Sequence, residues 1–299
     1  MNNKNTSVNA SIALLIVGYK GYQTLKSIPL DLNISFVASY KDSYTLDESN
    51  EEIIRYCNEN NLNYYDKSSL SNNLLTLPDI VFCIGWQYKI EEPLKNLIVL
   101  HDSLLPRYRG FSPTVNALIN NETEIGVSAF LPNEYIDSGA LYGKSQLTIK
   151  HPIKIKKVFD LLADNYLTLI NELISQFENN SLTTIEQNEE EATYSIWRDS
   201  SDYLINWHWD ANKICRFVDA LGWPFHGAQS NYNNQSIVIH DVKTVKDISF
   251  ELRHPGKIWQ IKDDSPIVIC GSGMLQIELA TYVNSEEPIQ FKKLKMRLT

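Results

Sequence analysis

"NLIVLHDSLLPRYRGFSPTVNALI", residues 96–119, decides how this chain is read. An apolar run, Leu97 to Leu100, stops at His101 and Asp102. A turn holding Pro106, Arg107, Arg109 and Gly110 follows, and then helical spacing over Pro113–Asn120. Apolar residues in a row, without alternation, indicate a strand buried on both faces. Such strands lie in sheets covered by helices, and ligands bind beyond their carboxyl ends. A histidine beside a carboxylate at such an end therefore marks a candidate site.

The flanking sequence repeats the pattern. Residues 10–17 (ASIALLIV) form an apolar run ending in the turn between Gly18 and Gly21, with a helix expected over Tyr22–Ile28. Strands are expected at Ile34–Ser39, Leu62–Tyr65, Asp79–Ile84 and Ile125–Leu131, and a polar helix at Glu48–Asn60. Over residues 154–178, Val158, Leu162, Tyr166, Leu169, Leu173 and Phe177 recur at helical spacing. The stretch Glu178–Ala192, rich in Asn, Glu and Gln, has linker character.

Beyond it the texture changes. A helix over Asp210–Leu221 precedes short strands at Ser236–Val242, Lys257–Ile261, Ile267–Cys270 and Leu275–Ala280, the pattern of a small β-barrel or sandwich. The expectation is an α/β domain over 1–190, its strands covered by helices on both faces, and a smaller, mainly β domain over 191–299.

Composition narrows the function classes. Net charge is −9, from 36 acidic and 27 basic residues, and no long basic stretch offers a nucleic-acid face. No apolar run approaches the roughly 18–20 residues a bilayer requires. Four scattered cysteines lack metal-ligand spacing, so no zinc site is expected and a reducing, cytoplasmic setting is the default. His151, His208, His226, His240 and His254 read as structural.

His101 differs. Downstream, "NEYIDSGALYG" places Asp137 in a loop after the Ile125–Leu131 strand. A carboxylate that fixes the tautomer of an imidazole and raises its basicity suits general acid–base work.

At these residues the chain resembles a known family. "HDSLLPRYRGFSP", "EIGVSAF" and "IDSGALYG" resemble the 10-formyltetrahydrofolate-dependent formyltransferases, among them enzymes acting on amino-sugar nucleotides and on methionyl-tRNA. "YSIWRDSSDYLINWHWDANKICRFVDALGWPFHGAQS", "HPGKIWQI" and "GSGMLQIEL" look like the family's accessory domain. The resemblance implies a Rossmann-like catalytic domain followed by an OB-like barrel, with 10-formyltetrahydrofolate as formyl donor and no metal. It makes His101 the acid–base group and Asp137 its partner. Gly85, Trp86, Gln87 and Tyr88 match the segment that reads the pterin edge. Ser103, Leu104, Leu105 and Pro106 match the turn lining the folate site, and Ile136, Ser138 and Gly139 its other wall. Arg107, Arg109 and Asn116 are the expected substrate contacts.

One departure stands out. The family carries Asn two positions before the histidine, where its amide stabilises the developing oxyanion; here the residue is Val99. Losing one such donor costs on the order of 3–4 kcal/mol, or 10²–10³ in rate. Asn116 or Asn133 reaching the same place, a slower reaction, and a binding fold without transfer all stay open. Asp102 also stands where relatives have Pro or Gly.

The acidic balance argues against a tRNA partner, and the likeness of "SIWRDSSDYLINW" and "RGFSPTVNALIN" to the sugar enzymes implies a small nucleotide-sugar substrate for polysaccharide biosynthesis, with no nucleic-acid or membrane partner. A methionyl-tRNA formyltransferase and a silent folate- or nucleotide-binding homologue are the alternatives. A homodimer is left open.

Overall fold

The computed structural model describes residues 9–88, 90 and 96–299. In chain order these form β1 (Ile12–Ile16), α1 (Gly18–Ser27), β2 (Ile34–Ser39), α2 (Ser49–Glu59), β3 (Tyr64–Asp66), α3 (Asn72–Leu75), β4 (Ile80–Ile84) and β5 (Leu97–His101). Next come β6 (Arg109–Gly110), α4 (Pro113–Ile119), β7 (Glu124–Phe130), β8 (Leu141–Thr148), α5 (Ile155–Glu178) and β9 (Tyr194–Ser195). The remainder is α6 (Ala211–Leu221), β10 (Ala228–Tyr232), β11 (Gln235–Val245), β12 (Ile258–Lys262), β13 (Ser265–Ile269) and β14 (Met274–Tyr282).

The chain divides into two units. The first takes residues within 1–113, 124–147 and 159–195. Its seven-stranded sheet has the order β3-β2-β1-β4-β5-β7-β8. β3, β2, β1, β4 and β5 run parallel, and β7 pairs antiparallel with β5, setting Ser128 opposite His101. Every residue of β1 and β4 is buried, so both faces of the sheet centre are covered. On one face Ala13, Leu15, Phe36, Val81, Cys83 and Leu97 form a core against which Trp86 and Val99 pack. Each fully buried aliphatic side chain there contributes roughly 1.5–3 kcal/mol. The order reverses between β1 and β4: the chain leaves β1 through α1 toward β2 and returns to β4 on the other side. That crevice is where open α/β sheets bind ligands.

Residues 178–192 differ from the expected linker. Ile185 bridges to Leu141 and Gln187 is buried, and just past the segment β9 pairs in parallel with β6. Their polar side chains complete hydrogen bonds inside the first unit, and a composition-based reading mistakes that demand for solvent exposure.

The second unit takes residues 114–123, 148–158 and 196–299, so it includes α4 and the start of α5 as well as the C-terminal part. It holds a five-stranded antiparallel sheet, ordered β10-β11-β14-β13-β12, in keeping with the small, mainly β domain expected there. The register of β11 against β14 shifts around Asp241, a device that bends strands. Asp210 caps α6, accepting the Lys213 N–H at 3.0 Å, and Gly222 follows the last turn. Trp207 is buried with its indole N–H on Ser230 Oγ at 3.1 Å, and Trp209 packs on Phe217, so these two aromatics serve packing.

Candidate active site

The His101 ring is fixed by the turn that follows it. Ser103 N–H donates to the His101 carbonyl at 2.8 Å, and Ser103 Oγ donates to the Arg107 carbonyl at 2.8 Å. From β7, Ser128 Oγ donates to the Ser103 carbonyl at 2.7 Å and accepts the Leu105 N–H at 3.0 Å. Leu105 is fully buried and anchors the turn in the core; the Leu105–Pro106 peptide is cis. Tyr108 then takes a φ of 59° and Gly110 a φ of 99°, curling the chain back over the histidine. A Cβ at Gly110 would lie 2.3 Å from the Ser195 carbonyl oxygen, so the β6–β9 approach requires glycine there.

This path brings the Tyr108 carbonyl to 2.9 Å from His101 Nε2. A carbonyl only accepts, so Nε2 is assigned as the donor. The other edge, Nδ1, faces Asp137 Oδ2 at 3.4 Å. The same oxygen accepts the Gly110 N–H at 2.7 Å. Asp137 has a φ of 47°, a left-handed conformation that costs a non-glycine residue of order 1–3 kcal/mol and recurs at functional sites. His101 is buried, while about a fifth of the Asp137 side chain is open to solvent. Held on one nitrogen and facing a carboxylate on the other, the imidazole can pass a proton through its Nδ1 edge.

The other expected residues sort by burial. Gly85 and Trp86 are half-buried, and Gln87 and Tyr88 are exposed. Tyr40 packs edge-on against both Trp86 and Tyr88, with ring centroids 5.2 and 4.9 Å apart, and its hydroxyl accepts the Gln87 N–H at 3.3 Å. Burial pushes the Tyr40 phenol well above its ordinary pKa. Lys67 Nζ sits over the Tyr88 ring, 3.1 Å from its centroid. Leu104 is half-buried, Pro106 buried and Ile136 exposed. Ser138 Oγ donates to Asn133 Oδ1 at 3.0 Å. Gly139 passes directly beneath Leu131.

The three expected substrate contacts separate. Arg107 is exposed, over the Tyr108 ring at 5.1 Å. Arg109 is almost fully buried and committed within the chain. Its Nε and Nη2 donate to Gln187 Oε1 at 3.1 and 2.9 Å, and its Nη1 and Nη2 to the Glu189 carboxylate at 2.9 and 2.6 Å. The Glu189 bond is the main reason the guanidinium pKa rises and the carboxyl pKa falls. Asn116 belongs to the second unit, where its Oδ1 accepts from Arg198 Nη2 at 2.5 Å.

Sequence reasoning missed four contributors. Lys20, in the first turn of α1, pairs with the buried Asp102, which gives that residue a partner. Tyr166 of α5 is fully buried, and burial, then the adjacent Asp102 carboxylate, hold its phenol pKa well above the ordinary value. Gln187 donates to the Asp137 and Gly139 carbonyls at 2.8 and 2.7 Å, tying the aspartate loop to Arg109. Ser128 was visible only as part of a motif. Lys20 alone had a local signal, its place in the glycine turn after the first strand. Among the described residues, no three His, Cys, Asp or Glu side chains are grouped to hold a metal, and no helix is long and apolar enough to cross a membrane.

Comparison with known proteins gives consistent similarities. The family model "Formyl transferase" matches residues 78–169, and "Formyl transferase, C-terminal domain" matches residues 199–287. A methionyl-tRNA formyltransferase of Geobacter metallireducens is 29% identical over 206 residues, 67% of this chain and 65% of its own. The bifunctional polymyxin resistance protein ArnA of Wigglesworthia glossinidia brevipalpis is 30% identical over 232 residues, 75% of this chain and 34% of its own. The match therefore spans less than two thirds of either relative's length. Among solved structures, WlaRD, a sugar 3N-formyl transferase crystallised with dTDP and 5-N-formyl-THF, superposes with a TM-score of 0.64 at 15% identity, covering 93% of this chain and 99% of that one.

Proposed function

Because this chain belongs to the formyl transferase family, we propose that it moves a formyl group from 10-formyltetrahydrofolate to the amine of a nucleotide-linked amino sugar. The observation that carries this reading is the His101–Asp137 pair, Nδ1 to Oδ2 at 3.4 Å, at the carboxyl end of a buried strand. Acyl transfer to an amine requires one proton to leave the nitrogen and another to reach the leaving group, and a positioned imidazole–carboxylate pair does both. With Nε2 tied to Tyr108, the working edge is Nδ1 together with Asp137.

The residues present suit a folate. Tyr40, Trp86 and Tyr88 form an aromatic wall for a flat ring, and Gln87 is exposed beside it. Arg107, exposed at the turn, is the arginine we assign to a nucleotide phosphate, whereas Arg109 is buried on Gln187 and Glu189.

The sugar substrate is supported by the net charge of −9, unsuited to holding a large RNA, and by the fold shared with the sugar 3N-formyl transferase WlaRD. The likeness to a methionyl-tRNA formyltransferase keeps charged initiator tRNA as the second reading. We read the setting as cytoplasmic and the product as bound for a polysaccharide.

The test is tetrahydrofolate release from 10-formyltetrahydrofolate with a panel of aminosugar nucleotides. His101→Ala should lose roughly 10²–10⁴ in rate. Transfer only to charged tRNA, falling steeply with salt, would give the second reading instead; transfer to no amine would leave a binding protein.

A further inference from the structure

We infer that Lys20, held in place by Asp102, supplies the oxyanion donor that the chain lacks at Val99. The inference rests on the formyl-transfer reading. In that reaction the amine nitrogen attacks the formyl carbon, a new N–C bond forms, and the carbonyl electron pair collects on oxygen. Collapse breaks the bond to N10 of the folate. N10 leaves with the electron pair and gains a proton, while the amine gives one up through His101 and Asp137. The charge on oxygen needs a donor, and Val99 offers only methyl groups packed against the core.

Four observations converge on Lys20. It stands in the first turn of α1, at the crevice between β1 and β4 where the sheet order reverses. Its stem lies across Gly85: a Cβ there would be 3.1 Å from Lys20 Cε. The side chain therefore runs beside the expected pterin-reading segment. Its ammonium ends on Asp102, the residue after His101, in an ion pair whose carboxylate is 5% exposed and whose lysine is 21% exposed. The cation is thus fixed by a buried carboxylate, on a side chain that keeps some exposure to solvent. Lastly, α1 begins without a side-chain cap or an acidic residue in its first turn, so the helix N-terminus adds positive potential to the same crevice.

The two amides the sequence offered are oriented by their own neighbours through their oxygens, not by the His101–Asp137 pair. Asn116 accepts from Arg198, and Asn133 Oδ1 takes the Tyr135 N–H and the Ser138 hydroxyl. Lys20, Asp102 and Val99 then form one correlated exchange: an ammonium replaces an amide, and Asp102 aims it.

The test uses the double variant Lys20→Met/Asp102→Asn, which removes the cation without stranding a buried carboxylate. Formyl transfer should fall roughly 10²–10³-fold in kcat. Calorimetric affinity for 5-formyltetrahydrofolate should stay within about threefold, since the interaction belongs to the transition state. Adding Val99→Asn to the double variant should recover most of the lost kcat, a rescue that a purely structural ion pair would not show. The inference is overturned if the double variant keeps wild-type kcat, if it loses folate affinity in parallel with kcat, or if Val99→Asn restores nothing. A wild type that transfers no formyl group overturns the functional reading and this inference together; a working wild type beside an unaffected double variant overturns the inference alone.

Discussion

Asp137 shows how one residue can hold a site in a conformation its backbone disfavours. Its left-handed φ is maintained by the Gly110 N–H on its carboxylate and by Gln187 on its carbonyl. Two residues on, Gly139 runs so close to Leu131 that an added Cβ would sit 1.7 Å from the Leu131 carbonyl oxygen. Both atoms in that clash are tied to backbone, so no side-chain rotation relieves it. Gly139→Ala should cost about 3 kcal/mol or more in denaturant unfolding and displace Asp137 from His101. An alanine variant with unchanged stability would show that the loop yields freely. Here the sequence was half legible: the aspartate and its Ser-Gly turn could be picked out as a loop, but the need for glycine at that crossing exists only because Leu131 lies against it.

Among elements, the segment from Gln187 to Ser195 is the least expected. Expected to be linker as far as Ala192, it instead locks two parts of the site. Gln187 Oε1 accepts from Arg109 while its amide holds the Asp137 and Gly139 carbonyls. Further along, the Thr193 hydroxyl accepts the Tyr108 N–H at 2.9 Å, and β9 lies beside β6. Gln187→Ala leaves one buried and one part-buried carbonyl and part of a buried guanidinium unsatisfied, at an expected cost on the order of 3 kcal/mol. Thermal unfolding reads that loss. Limited proteolysis should cut earlier within 178–195 than in wild type; an unchanged cleavage pattern would return the segment to linker status. Polar composition here recorded hydrogen bonds to be made inside the fold, and nothing local distinguishes that from a solvated tether.

On the scale of the whole chain, the surplus of acidic residues bears on stability as well as on partners. In α6, burial raises the Asp219 pKa above 3.8, outweighing the lowering by Lys154. A raised carboxyl pKa means the native state binds more protons than the unfolded chain between the two values. Stability therefore falls as pH rises through that window, and the cost is fully present above it. Asp219→Asn should raise the melting temperature at about pH 7.5, with the gain shrinking toward zero near pH 4 and below. A gain that persists at low pH would mean that the carboxylate's burial is not the cause.

Taken by itself, the order of residues determined the central strands and the long helices with their faces, though not β8 or β10. The apolar run before His101, the spacing along α5 and the Asp210 and Gly222 limits of α6 are properties of neighbours in the chain, and backbone sterics and water act on neighbours directly. Only the tertiary structure decided that Lys20 meets Asp102, that Gln187 joins Arg109 to Asp137, and that Arg109 faces inward. Those partners lie 82, 78 and 50 residues apart, with Arg109 reaching Glu189 across 80. Which distant side chains meet is set by strand order and by the competition of buried polar groups for partners, and no local pattern carries that information.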